Sequence, residues 1–273
     1  MVAFFEQVDG RFVATTMSVS AWSQTQLAGT AVCGLLAREL ETHAPRADFI
    51  PARFTVDLFR PVLNEPITLR SEVVRDGTRV RVVDAALVQH DEVRARASVM
   101  YLAVGEQPPG QVWEAERDLP TPSYELNSPY GEAPHFKSGD QDWTPDFASG
   151  ANNLRKAVWQ NLPALVEGEP LTPFQRAAFV ADCTNMVCNW GTAGVGFINS
   201  DVTMTLSRLP IGHEVGLRAQ DHISSAGVVT ATATLYDRTG PLGATVITGL
   251  SNARRQVDLA AFAESRSIPA TVN

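Results

Sequence analysis

A single carboxylate on an otherwise uncharged helix is the feature of this sequence that first suggests chemistry. The stretch Thr172–Gly191 begins with a good N-cap and a proline suited to the first turn, and it has no Lys, Arg or Glu between residues 177 and 190. A helix that is apolar nearly all round is buried. One stripe interrupts the apolar surface at spacings of three and four, and it comprises Gln175, Ala178, Asp182, Asn185 and Asn189.

Asp182 is the candidate working residue of this stripe. Burial disfavours the charged form of a carboxyl group, so it would raise the pKa of Asp182 and suit the side chain to act as a general base. The stripe also fits the solvated side of an amphipathic helix. A solvated face favours long charged side chains, however, and this one offers a single Asp among amides.

Composition excludes several classes of function. The chain has 30 acidic and 22 basic residues, a net charge of −8 and no basic run, which argues against sequence-independent nucleic-acid binding. There is no serine nucleophile elbow, Walker loop, dinucleotide fingerprint or metal-ligand spacing, so we expect no cofactor and no metal. The three cysteines, Cys33, Cys183 and Cys188, are expected to be reduced and buried.

The sequence predicts a soluble protein located in the cytoplasm. The first residues contain no basic segment and meet an acid at Glu6, so they do not form a signal peptide. No apolar run approaches the roughly 18 residues that a membrane span requires.

An internal repeat organises the chain. A shift of 148 residues places Phe54, Val56 and Leu58 on Val202, Met204 and Leu206 in phase, and the same frame aligns residues 87–91 with 235–239. Each half therefore reads as a helix followed by about four antiparallel strands, with Trp22 to about Leu40 as the first helix. The repeat predicts a sheet curling around its own helix in each half, and edge-to-edge pairing of the halves into one sheet.

The chain divides into four segments on this basis. Residues 1–104 form the first half, which opens with a hairpin turning at Asp9–Gly10. Residues 105–150 are rich in proline and are interpreted as a crossover linker on the surface. Residues 151–256 form the second half, and residues 257–273 are a tail to which the sequence assigns no role.

Several segments resemble the TesB-type (type II) acyl-CoA thioesterases. In the first half these are Arg53–Pro61 and the stretch that begins at Glu72; in the second they are Phe179–Asp182, Leu206–Arg208 and Leu235–Gly240. The resemblance implies an α+β double hotdog, in which two helix-plus-sheet repeats form one continuous curled sheet around two central helices. It also implies hydrolysis of a fatty acyl-CoA thioester by an activated water.

The resemblance implies three residues that hold this water. The acid of the family falls on Asp182. The hydroxyl position falls on Asn199 with Ser200 beside it, and the Gln position falls near Thr248. The start of the first helix reads Leu27–Thr30, whereas relatives often have Gln-His-Gly-Gly or Gly-Gly-Gln there.

Other interpretations remain open for most of these residues. Donors for an oxyanion are expected from Asn185, Asn199 or a helix-terminal N–H, while Ser200 or Thr248 would position water. Residues 199–201 equally fit a β-turn, and Thr248 fits an ordinary strand hydroxyl. Arg60 and Arg208 are candidates for binding CoA phosphates, or they form salt bridges that anchor turns.

The alternative function is a catalytically degenerate double hotdog that binds acyl-CoA or a related ligand without hydrolysis. A hotdog enoyl-CoA hydratase would need a His near Asp182, and none lies within twenty residues of it in sequence. The resemblance further implies a homodimer.

Overall fold

The structure, a computed structural model, describes residues 2–254 and 256–259. Within these residues, two α-helices, α1 (Gly29–Glu41) and α2 (Pro173–Asn189), lie among sixteen strands. The strands are β1 (Ala3–Val8), β2 (Arg11–Ala14), β3 (Phe49–Leu58), β4 (Thr68–Asp76), β5 (Val80–Gln89), β6 (Glu92–Ala103), β7 (His135–Ser138), β8 (Lys156–Asn161), β9 (Ala164–Val166), β10 (Trp190–Gly191), β11 (Gly194–Val195), β12 (Phe197–Asn199), β13 (Asp201–Leu206), β14 (Glu214–Ser225), β15 (Val228–Asp237) and β16 (Gly240–Ser251).

One 11-stranded sheet joins the two halves, as the repeat predicts. Its order is β4-β5-β6-β3-β13-β16-β15-β14-β8-β7, with β12 also paired to β16. Shifting β5 and β6 by 148 residues gives β15 and β16 with the same first and last residues. The halves meet where β3 pairs antiparallel with β13, and Thr55 lies directly opposite Thr203, its own repeat equivalent. A pseudo-two-fold axis therefore passes between these two threonines.

The helices lie on the inner face of the sheet and contact each other. Helix α2 begins as predicted, because the Thr172 side chain accepts a hydrogen bond from Gln175 N–H and Pro173 occupies the first turn. Fourteen of its side chains are buried, among them Phe174 and Val180. Alternate residues of the surrounding strands complete one apolar core with the two helices.

Helix α1 starts seven residues later than the sequence predicts. Residues 22–28 are not helical, because Ser20 and Ser23 side chains accept hydrogen bonds from the backbone N–H groups of Trp22 and Thr25. Leu27 then donates its N–H to Val62 O at 2.8 Å. The polar residues therefore favour turns where the apolar spacing alone favours a helix.

The second part of the proline-rich crossover segment, residues 105–150, contains regular secondary structure. Strand β7 and a short 3₁₀ helix at Phe147–Gly150 lie within this range, and β7 extends the sheet beside β8. The first part runs over the outer face of the second half. Tyr236 Oη donates to Pro120 O at 2.7 Å and Arg238 donates to Pro122 O at 2.9 Å. Of the C-terminal tail, residues 260–273 lie outside the described residues.

Candidate active site

Asp182 lies near the middle of α2 and is 8% exposed. The burial of the carboxylate raises its pKa from 3.8 to about 6, although the hydrogen bond from Asn199 acts in the opposite direction. Asp182 is thus ionised at neutral pH and still basic enough to accept a proton. The thiols of Cys33 and Cys183 are close enough to this carboxylate for its charge to raise their pKa values further, beyond the larger effect of burial.

Asn199 fixes one oxygen of this carboxylate. It is the last residue of β12, and its Nδ2 donates to Asp182 Oδ1 at 2.9 Å. Among the described residues this is the only hydrogen bond to the Asp182 side chain. The second oxygen, Oδ2, has no hydrogen-bond partner among the described residues.

The start of α1 forms the opposite wall of the site. A Cβ atom added to Gly29 would lie 2.6 Å from Asp182 Oδ2 and 2.8 Å from Oδ1, so the carboxylate packs directly against the first residue of the helix. Ala28 provides no side-chain cap. The N–H groups of Gly29, Thr30 and Ala31 have no partner in the described part of the chain, as is usual for a first helical turn. This end of α1 therefore offers free donors and the positive end of a helix dipole.

Ser200 and Thr248 do not converge on Asp182. Thr248 is exposed on the outer side of β16, whereas Ile247 beside it is buried. Its hydroxyl bonds to Ser200 Oγ at 3.1 Å and donates to Asp201 Oδ1. The two hydroxyls therefore join a carboxylate on the other face of the sheet.

The remaining polar residues of α2 serve as connections to neighbouring elements. Asn185 donates to Phe197 O at 3.1 Å and accepts from Asn189 at 2.7 Å, and Asn189 Oδ1 bonds to His222 Nδ1 at 2.9 Å. Asn185 thus ties α2 to β12 and makes no hydrogen bond to Asp182. In the described residues no histidine hydrogen-bonds to Asp182.

At the start of α2, Gln175 donates to Glu41 Oε2 at 2.7 Å, and Thr172 bonds to both oxygens of the same carboxylate. Burial raises the pKa of Glu41, and these hydrogen bonds oppose the increase. Each helix therefore places a carboxylate near the first turn of the other, but only Asp182 keeps an oxygen without a partner among the described residues.

Arg208 is occupied by an ion pair that anchors a turn. Its Nη1 and Nη2 atoms donate to the two oxygens of Asp237 at 2.7 and 2.8 Å, and Asp237 also accepts from Ile211 N–H at 3.0 Å. In the first half the repeat equivalent of Asp237 is Gln89, which accepts from Leu63 N–H at 2.9 Å. The same loop anchor is thus built with a charged side chain in one half and a neutral one in the other.

Replacement of Arg208 by Gln is expected to lower the free energy of unfolding by about 2–3 kcal/mol, because Asp237 is 1% exposed and would lose its cation. Burial alone would raise the pKa of Asp237, but its hydrogen bonds hold that pKa well below its usual range. Urea unfolding at pH 7 measures the change, with Arg60→Gln as the control from the equivalent position. Equal stability of Arg208→Gln and the unmodified protein would contradict the anchoring role.

A cavity with a volume of about 520 Å³ lies at the C-terminal end of α2. Its lining combines apolar and polar side chains, including Val187, Phe197, Arg155, Asn189 and His222. Asp182 lies two helical turns before Asn189 and does not line this cavity. In the described residues no group of three His, Cys, Asp or Glu side chains could hold a metal ion, and no helix is long and apolar enough to cross a membrane.

The sequence nominates Asp182 and Asn199, which the structure joins by a hydrogen bond, but it does not single out Gly29. In the sequence, Leu27–Thr30 is notable only because it differs from the residues that relatives often have at the start of this helix. One feature of the sequence could have pointed to Gly29. The residue before it, Ala28, has no side chain that can cap a helix, so the first N–H groups of α1 are left uncapped.

Comparison with known proteins gives two consecutive family matches. Residues 18–102 match the acyl-CoA thioesterase N-terminal domain, and residues 106–247 match the acyl-CoA thioesterase C-terminal domain. No curated protein sequence matches the chain significantly.

Solved structures share the fold at low sequence identity. A TesB protein of Mycobacterium avium subspecies paratuberculosis has a TM-score of 0.61 and 17% identity, over 90% of this chain and 95% of its own. The acyl-CoA thioesterase II TesB2 of Mycobacterium marinum has a TM-score of 0.59 and 16% identity, over 90% of this chain and 94% of its own. A conserved protein with a hot dog fold from Alicyclobacillus acidocaldarius gives 0.60 and 15%, also over 90% and 94%. The predicted double-hotdog fold is therefore confirmed.

Proposed function

The chain belongs to the acyl-CoA thioesterase family, and on that premise we propose that it hydrolyses a fatty acyl-CoA to the free acid and CoA, with Asp182 activating the water. The observation that carries the proposal is the position of the Asp182 carboxylate. It is buried, holds one oxygen free of partners in the described chain, and faces the uncapped first turn of α1.

The reaction requires a base beside the attacking water and hydrogen-bond donors at the carbonyl oxygen of the thioester. As water attacks the carbonyl carbon, Asp182 takes its proton, and the negative charge that develops on the carbonyl oxygen is stabilised by N–H groups at the start of α1. When the tetrahedral intermediate collapses, the C–S bond breaks and the protonated Asp182 returns the proton to the leaving thiolate. Asn199 holds the carboxylate in the orientation that aims Oδ2 at the water.

The proposal assigns no contact with the water to Ser200 or Thr248, which lie on the outer face of the sheet. Their placement supports the alternative, a double hotdog that binds acyl-CoA without hydrolysis. Release of free thiol from a panel of acyl-CoAs separates the two functions, because the alternative predicts background rates together with a thermal shift on ligand binding.

The homodimer and the cytoplasmic location stay predictions, the first of which sedimentation tests.

The pH dependence of hydrolysis is expected to follow the ionisation of Asp182. Because the base acts only when deprotonated, kcat/KM should be level above pH about 6 and fall about tenfold per pH unit below it. Octanoyl-CoA hydrolysis between pH 4.5 and 8 measures this profile. A rate that stays level down to pH 4.5 would contradict a base with a raised pKa.

A further inference from the structure

The loop of residues 59–61 is held at both ends by segments that adjoin Asp182 and its partner Asn199. At its first end, Leu58 N–H donates to Ser200 O at 2.8 Å, one residue after the asparagine that holds the catalytic carboxylate. At its other end, Val62 O accepts from Leu27 N–H at 2.8 Å, two residues before α1. The loop therefore links the two elements between which the thioester is proposed to react.

Two arginines at this loop share one carboxylate. Arg60 Nη1 and Arg94 Nη2 each lie 3.5 Å from Glu92 Oε2, a separation longer than a charge-assisted hydrogen bond. The Glu92 side chain is 48% exposed and that of Arg60 is 58% exposed. Arg94 is 14% exposed, and its buried Nε has no hydrogen-bond partner within the described residues. A half-exposed anion held loosely between two guanidinium groups is easily displaced by a stronger one.

An exposed aromatic ring lies beside this pair. Phe59 is 54% exposed, and the Arg96 guanidinium stacks over its ring at 5.6 Å from the centroid. The nearby carboxylates are already engaged, since Asp57 accepts from Arg96 at 2.7 Å and Asp201 accepts from Thr248 N–H at 2.8 Å. Within the described chain, Arg60 and Arg94 are therefore the two arginines near this loop whose only contact with a carboxylate is longer than a hydrogen bond.

We propose that Arg60 and Arg94 bind the phosphate groups of CoA and that Phe59 offers its exposed face to the adenine. The proposal rests on the proposed function and names the part of the substrate that this corner recognises. A phosphate oxygen can take the place that Glu92 Oε2 occupies between the two guanidinium groups, and the phosphate groups of CoA together carry more negative charge than one carboxylate. Arg208 takes no part, because Asp237 already binds it through both oxygens.

The test compares octanoyl-CoA with octanoyl-N-acetylcysteamine, which carries the same thioester without phosphates. Arg60→Gln is expected to lower the ratio of kcat/KM for the two substrates about 10-fold, chiefly through KM for octanoyl-CoA. Arg60→Lys should restore part of the ratio, and higher salt should reduce it in the unmodified protein. Arg70→Gln, at an exposed arginine of β4, is the matched control and should leave the ratio unchanged.

Glu92→Gln separates a phosphate site from a structural ion pair. Removal of the competing anion should lower KM for octanoyl-CoA about 3-fold, whereas loss of a stabilising pair would not improve binding. The proposal is overturned if Arg60→Gln leaves the substrate ratio intact or if Glu92→Gln raises KM.

Failure of the hydrolase proposal would look different, because neither thioester would then release thiol. In that case titration of CoA against the unmodified protein and Arg60→Gln still decides the phosphate site. A Kd about 10-fold weaker in the variant supports the site, and equal binding, or no binding to either protein, rejects it.

Discussion

Asp182→Asn is expected to reduce thiol release from octanoyl-CoA by about 10²- to 10⁴-fold, the usual contribution of a general base. The asparagine keeps an oxygen that accepts the hydrogen bond from Asn199, so the site retains its shape while the proton acceptor is lost. The defect should appear in kcat, because the base acts in the transition state and not in binding. Steady-state kinetics at pH 7.5 measure it.

Asp201→Asn is the matched control for this variant. It makes the same chemical change at a carboxylate on the outer face of the sheet, where Ser200 and Thr248 are its partners. We expect its rate to stay within a few-fold of the unmodified protein. A loss as large as that of Asp182→Asn would show that the outer cluster, and not the buried carboxylate, performs the reaction.

Stability provides a second readout for Asp182→Asn. Because folding raises the pKa of this carboxyl to about 6, the folded protein binds the proton more tightly than the unfolded chain. The free energy of unfolding therefore falls as pH rises from about 4 to about 6. At pH 7 the buried charge costs up to about 3 kcal/mol. The variant should therefore be more stable than the unmodified protein at pH 7 and similar to it at pH 4, which urea unfolding at both pH values tests. Lower stability at pH 7 would contradict a desolvated carboxylate.

The architecture can be predicted from the sequence because the alternation of apolar residues along each strand is a local pattern that the folded sheet keeps. Alternation in Phe54, Val56 and Leu58 recurs 148 residues later because both strands bury the same face of one sheet, and their register then follows. Helix α2 is predictable from its cap and its uncharged length. The start of α1 is not, since the Ser20 and Ser23 hydroxyls accept hydrogen bonds from nearby backbone N–H groups, and these bonds compete with the helix over a few residues.

The site depends on contacts that periodicity does not encode. Asp182 is recognisable because a lone carboxylate on a buried helix is costly. The repeat frame aligns it with Gly34, whereas the antiparallel packing of the helices places it against Gly29. Thr248 is the opposite case. The family resemblance makes it a candidate for holding the water, but side chains alternate along β16, so Thr248 points outward while its neighbour Ile247 is buried.

Gly29→Ala is expected to reduce kcat/KM by about 100-fold, through displacement of the Asp182 carboxylate, the proposed base. The added methyl would lie 2.6 and 2.8 Å from the two Asp182 oxygens, well inside any real contact, so the carboxylate has to turn away from the start of α1. A misplacement of about 1 Å suffices for a loss of this size. Helix propensity acts in the opposite direction, because Ala favours a helix by up to about 1 kcal/mol over Gly, so lost helicity cannot explain the defect.

Gly34→Ala is the matched control, because it makes the same change in the same helix against Leu165 Cδ1 at 2.9 Å. It should lower stability without the 100-fold loss of rate. A double-mutant cycle gives the decisive comparison: in an Asp182→Asn background the Gly29→Ala change has no carboxylate base left to displace, so the two effects on kcat/KM should be strongly non-additive. Additive losses would mean that Gly29 acts through something other than Asp182, such as the N–H donors of the first turn.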